Sequence, residues 1–79
     1  MYEFRFIENR FINEIINKIY NGDISRCAGD LNLPKQHFMD ILHQKSIAGI
    51  QTLKAVIIYC SVHNIDFKRY VEITEGDKI

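Results

Sequence analysis

The sequence predicts an all-α fold, a compact bundle of about five short helices. Three observations point there. Apolar residues recur at three- and four-residue spacing over Ile7 to Tyr20 and again over Ile50 to Cys60. Helix start and stop residues fall between these stretches, at Gly22, Asp23, Asn32 and Pro34. Strand-like alternation is confined to the two ends of the chain.

The first helix is expected over Glu8 to Tyr20. Ile7, Phe11, Ile12, Ile15, Ile16, Ile19 and Tyr20 form its apolar face, and Asn9, Asn13, Asn17 and Asn21 lie opposite. Asn21-Gly22 ends it, with Gly22 suited to a left-handed cap. Asp23 is the N-cap of a second helix, Ile24 to Leu31. Asn32 tolerates positive φ and so permits a sharp turn. Pro34 suits the first position of a third helix, Pro34 to His43, whose Phe38, Ile41 and Leu42 face inward. Gln44 to Gly49 is a loop. A fourth helix runs Ile50 to His63, with Ile50, Leu53, Val56, Ile57 and Cys60 as its core stripe. Asp66 caps a fifth, Phe67 to Glu72, and residues 74–79 read as a frayed tail. At the ends, Tyr2, Phe4 and Phe6 alternate with Glu3 and Arg5, and Tyr70, Glu72 and Thr74 alternate with Val71 and Ile73. Helix or coil is the expectation there, and a short two-stranded sheet is the alternative.

Composition excludes several classes. The 79 residues carry ten basic and ten acidic side chains, and 47% are hydrophobic. Such a chain has the apolar content to fold and is expected to form one domain. Its longest apolar run, Ala55 to Cys60, has six residues, far below a membrane span of about 20. The start lacks the layout of a signal peptide, so the cytoplasm is the expected compartment. There Cys27 and Cys60 stay reduced and serve as small core hydrophobes. His37, His43 and His63 lack the spacing of metal ligands. Gly22, Gly29, Gly49 and Gly76 are scattered, with no phosphate loop among them. No metal, cofactor or catalytic set is expected, and an enzyme is not.

Residues 24–43 resemble the helix-turn-helix of the phage-repressor, Xre-like family. Cys27 and Ala28 fall where that family has an apolar residue followed by a small one, at the close crossing of two helices. Leu31 and Leu33 bracket the turn, Asn32 takes the turn position that is usually Gly, and Phe38 and Ile41 take the buried positions of the second helix. Ile50, Leu53, Val56 and Ile57 resemble the helix that closes this fold. Asn64-Ile65-Asp66-Phe67 is similar to the family's lead into a fifth helix. The resemblance covers about Ile7 to Val71 and implies a bundle with a central helix-turn-helix. Three features depart from the family pattern: Gly29 inside the second helix, a longer fourth helix, and Asp40 on the presumed DNA face.

The resemblance implies a small sequence-specific DNA-binding regulator whose helix 34–43 enters the major groove. Lys35, Gln36, His37, Met39 and Asp40 would face base edges. Gln36 has the amide geometry for adenine, and Asp40 can accept from cytosine. Lys45, Ser46 and Lys54 would meet the backbone. The same residues also fit a plain solvated face. Between Leu31 and Ile65 three lysines oppose one aspartate, a mildly basic middle hidden inside a neutral total. Ala55, Ile58, Tyr59 and Val62 form a second apolar strip on the fourth helix, expected as a homodimer contact. The alternative function is a helix-turn-helix fold reused for contact with a protein partner, as in an inhibitor, antirepressor or adaptor.

Overall fold

The computed structural model describes residues 2–75. The order is strand β1 (Tyr2–Phe6), a helical rod, helices α3 (Ile24–Leu31), α4 (Lys35–Leu42) and α5 (Ile50–Val62), a 3₁₀ turn (Phe67–Arg69) and strand β2 (Val71–Glu75). The rod is continuous and has three parts: α1 (Glu8–Phe11), a π-helical stretch (Ile12–Ile16) and α2 (Asn17–Ile19). The protein is thus mostly helical, but the termini pair as an antiparallel two-stranded ribbon, so the all-α expectation holds only in outline.

The ribbon also corrects the last helix. Only Phe67–Arg69 is helical, and Val71, Glu72, Ile73 and Thr74 belong to β2 with Glu75. Thr74 and Glu75 are therefore not a frayed tail, and 76–79 lie outside the described residues. The cause is a pairing between the two ends of the chain, which local alternation permits but does not by itself specify. Phe6 sits opposite Val71, and both are buried, so docking that rung in the core draws the flanking residues into register.

The π stretch shifts the inward face of the rod. Phe11, Ile15, Ile16 and Tyr20 are buried, while Ile19 is exposed and Ile12 half-buried. These buried positions recur every four to five residues, wider than the 3.6 of an α-helix, as hydrogen bonds to the fifth residue require. Tyr20 therefore turns inward where an ideal α-helix would favour Ile19. The rod ends with Asn21 (φ 54°) and Gly22 (φ 82°) both left-handed, and the Gly22 amide donates to the Ile16 carbonyl at 2.9 Å.

The core is organised around Phe11, which is fully buried. Its ring lies 5.3 Å from Phe6, 6.0 Å from Phe38 and 5.5 Å from Tyr70, the last two edge-to-face. One side chain thereby joins β1, α4 and the residue that leads into β2 to the rod. Cys27 and Cys60 are free and buried. Burial pushes their thiols up to about 12 and about 11, so neither is a thiolate at neutral pH.

Outside the core, Arg69 grips the rod. Its Nη2 donates to Glu14 Oε2 at 2.8 Å, its Nε donates to Oε1, and the Tyr70 hydroxyl donates to the same Oε1. These bonds hold the Glu14 carboxyl below its ordinary range, the Arg69 bonds first and the Tyr70 bond second. A depressed carboxyl contributes stability above its unfolded pKa and loses it as pH falls through the folded value. Glu14→Gln is expected to melt below the wild type at neutral pH, with the gap closing on acidification below the carboxylate range. Paired thermal melts at pH 7 and pH 3 check this, and a gap unchanged by pH would contradict it.

Two neighbouring positions on α3 make a second test. Ala28 is buried, whereas a methyl added at Gly29 would meet nothing within 4 Å. Gly29→Ala should stabilise by about 1 kcal/mol, raising Tm by roughly 4–8 °C. Ala28→Leu should destabilise by about 1–3 kcal/mol through overpacking. Thermal melts of the two variants should move in opposite directions.

Candidate nucleic-acid interface

The candidate site is built on α3, a tight turn and α4. The Asp23 side chain accepts from the Arg26 amide at 3.2 Å and so caps α3 as expected. Asn32 stands at φ 60°, ψ 42°, and the Leu33 amide donates to the Ala28 carbonyl at 2.9 Å. That bond closes the end of α3 as a left-handed residue permits. Pro34 is the N-cap of α4 rather than its first helical residue. Its backbone is extended, and its carbonyl accepts from the Phe38 amide. Phe38, Ile41 and Leu42 anchor α4 in the core, so its opposite side must face outward.

Lys35, Gln36 and His37 are exposed, and Met39 and Asp40 are half-buried. Helical spacing puts Gln36 and Asp40 at the centre of this face, Lys35 with Met39 on one flank and His37 on the other. Gln36 Nε2 donates to Asp40 Oδ1 at 3.0 Å. The amide with the geometry to read adenine is thus held by a carboxylate on its own helix. At the far end, Gln44 turns the chain at φ 62°, and the amides of Lys45 and Ser46 donate to the Asp40 carbonyl at 2.7 and 3.2 Å. Lys45 is exposed and Ser46 half-buried there. The eight residues of α4 separate the two ends by about 12 Å.

Lys54 lies on the His37 flank. Both line a groove of about 670 Å³ that runs between the α3–α4 turn and the outer side of α5. Leu33, Pro34, Ala55, Ile58 and Val62 supply its apolar walls, and Asp30 its one carboxylate. Asp30 lies just outside the basic segment counted along the chain and lines the same groove as Lys54. The eight residues expected at DNA therefore surround α4 on both flanks and at both ends, with an acidic group at the centre and another at the groove.

Tyr59 is not available as an interface residue. It is only 5% exposed. The Tyr20 hydroxyl donates to Asp30 Oδ2 at 2.7 Å, which uses its single proton. The Tyr59 hydroxyl, 3.1 Å away, therefore donates to the Tyr20 oxygen. The Tyr59 ring also stacks on His63, with centroids 4.2 Å apart. Burial first, and the bond donated to the Asp30 carboxylate, raise the Tyr20 phenol far above its ordinary range, and burial raises Tyr59, so both phenols stay neutral. This network turns α5. Its buried residues are Thr52, Leu53, Val56, Tyr59 and Cys60, while Ile50, expected in the core, is 78% exposed and Ile57 is half-buried. Ala55, Ile58 and Val62 keep the outward strip without Tyr59.

The Tyr20–Asp30 hydrogen bond and the burial of Thr52 were not anticipated by sequence reasoning. Helical spacing alone could have flagged Thr52, one residue before Leu53 and four before Val56. Among the described residues no group of three or more His, Cys, Asp or Glu gathers where it could hold a metal ion, and no helix is long and apolar enough to cross a membrane. The chain matches no family model, no curated protein and no solved structure.

The tyrosine network orders the cost of removing its members. Tyr20→Phe leaves the buried Tyr59 hydroxyl without an acceptor and is expected to cost about 1–3 kcal/mol. Tyr59→Phe leaves Tyr20 still bonded to Asp30 and should cost less, about 1 kcal/mol. Denaturant unfolding of both variants checks the order, and a costlier Tyr59→Phe would contradict it.

Proposed function

We propose that the protein is a small DNA-binding regulator of helix-turn-helix type, with α4 as the helix that enters the major groove. One observation carries this reading. Lys35, Gln36 and His37, the first three residues of α4, directly follow a three-residue turn and are all exposed. Among the described residues they serve no ion pair of the fold. A short helix held from behind by Phe38, Ile41 and Leu42, with a polar N-terminal turn presented outward, suits readout of base edges. Lys45 and Lys54, both exposed, stand where phosphates would pass on either side. Each subunit offers few cations, so tight binding needs two copies on a two-fold site.

On DNA, Gln36 must exchange its bond to Asp40 for a base. Asp40 then either accepts from cytosine or repels nearby phosphate. The expected outcomes follow from that chemistry. Gln36→Ala should weaken a specific duplex by about 1–3 kcal/mol and relax its sequence preference. Lys35→Ala should weaken all duplexes alike and reduce the salt slope by about 1. Asp40→Asn should tighten non-specific binding. Fluorescence anisotropy over a salt series measures all three.

A second reading, contact with a protein partner, is favoured by the Gln36–Asp40 bond together with the apolar groove beside α5. It expects no salt-sensitive DNA binding and loss of partner capture on Ile58→Asp. A steep salt slope for the wild type with DNA decides against it.

A further inference from the structure

β1 is an edge strand with an unusual sequence. It reads Tyr2-Glu3-Phe4-Arg5-Phe6, aromatic at every second position with one acid and one base between. It pairs with β2 on one side only, with Phe4 opposite Ile73 and Arg5 opposite Glu72. Among the described residues no backbone hydrogen bond of the loops or turns reaches its other edge. On its aromatic face only Phe6 is buried, and Phe4 is half exposed beside the loop residues Ser46, Ile47 and Ala48. Tyr2 is 65% exposed, Phe4 50%, and Ile73 beside Phe4 is exposed as well. An open edge with an uncovered aromatic face is a template for another strand.

We infer that this edge pairs with the same edge of a second copy, antiparallel and centred on Phe4. The strand itself selects that arrangement. Centred on Phe4, Phe4 meets Phe4 of the second copy, Tyr2 meets Phe6, and Glu3 meets Arg5 twice. Aromatic pairs then share one face and opposite charges the other, both favourable across strands. Centring on Glu3 sets two glutamates together, and centring on Arg5 sets two arginines together. A register offset by one residue puts Glu3 against Phe4 and mixes the faces. Parallel pairing in register sets like against like at both charged positions. Only one register satisfies every position, and it is isologous, as a two-fold dimer requires. The result is a four-stranded sheet in the order β2, β1, then β1 and β2 of the second copy. On the charged face Arg5 lies between Glu72 of its own chain and Glu3 of the other. A five-residue contact is small, so the dimer dissociates on dilution.

The inference stands apart from the DNA reading, and charge reversal tests it without DNA. Sedimentation velocity of the full chain over a dilution series reads the mass. The wild type is expected as a dimer at high concentration and Glu3→Arg as a monomer, since that change sets arginine against arginine. Glu3→Arg faces only Thr74 within its own ribbon, and circular dichroism confirms that the variant is folded. Arg5→Glu is likewise expected as a monomer. Adding Glu72→Arg to it keeps the cross-strand pair in the chain opposite in sign if the single variant fails to fold. Mixing Glu3→Arg with the Arg5→Glu chain is expected to restore a heterodimer, because every charged pair is again complementary. A wild type that is monomeric throughout overturns the inference. So does a Glu3→Arg variant that stays dimeric, including one whose dimer is lost only on Ile58→Asp, which would place the contact on α5.

Discussion

The contacts of the Phe11 ring hold the rest of the structure in place. Phe6, Phe38 and Tyr70 all meet it, so both termini and α4 converge on one side chain of the rod. Each such pair contributes about 0.5–1.5 kcal/mol beyond the area it buries. More important is what the ring positions. Phe38 fixes the rotation of α4 about its axis, and that rotation decides which residues of α4 face solvent. Phe6 fixes where β1 leaves the core, and hence how far the ribbon projects with Phe4 and Tyr2 uncovered. In a chain of 79 residues a single aromatic hub can set both surfaces, because a chain this short buries only a small core.

The parts of the fold written in local chemistry were legible. Asp23 caps α3, Asn32 takes the left-handed turn, and α3 and α4 begin and end within a residue of where caps and periodicity put them. Features set by distant partners were not. The apolar series from Ile7 to Tyr20 fits a 3.6-residue period well enough that the π stretch left no separate signal. The outward turn of Ile19 follows from that stretch. On α5 the strongly apolar Ile50 and the amphipathic Tyr59 exchange places. Hydropathy favours the isoleucine, but the Tyr59 hydroxyl has a buried partner in Tyr20, which is held in turn by Asp30. The alternation at the ends was visible, yet a ribbon between residues so far apart in sequence depends on the Phe6 and Val71 rung finding the core.

The candidate site was legible residue by residue more than as a surface. Lys35, Gln36 and His37 are exposed as read, and Lys54 stands across a groove from His37. Yet the face they surround is not a continuous basic patch. Asp40 occupies its centre and binds Gln36, and Asp30, committed to Tyr20, lines the same groove as Lys54. The zero net charge of the chain is therefore repeated at the scale of α4. On the proposed reading, such a face would attract DNA weakly from a distance and rely on specific contacts once docked. It would also resist non-specific binding, favouring discrimination between sites over raw affinity.

The most direct measurement of this account is residue-resolved. Amide and side-chain chemical shifts of the ¹⁵N-labelled protein, followed during titration with short duplexes at low salt, report which surface meets DNA. The account predicts shifts at Lys35, Gln36, His37 and Met39, with smaller ones at Lys45, Ser46 and Lys54, and release of the Gln36 side-chain amide from Asp40. A spectrum that does not change with DNA would contradict it. Changes confined to the ribbon or to Ile58 and Val62 on α5 would contradict it equally.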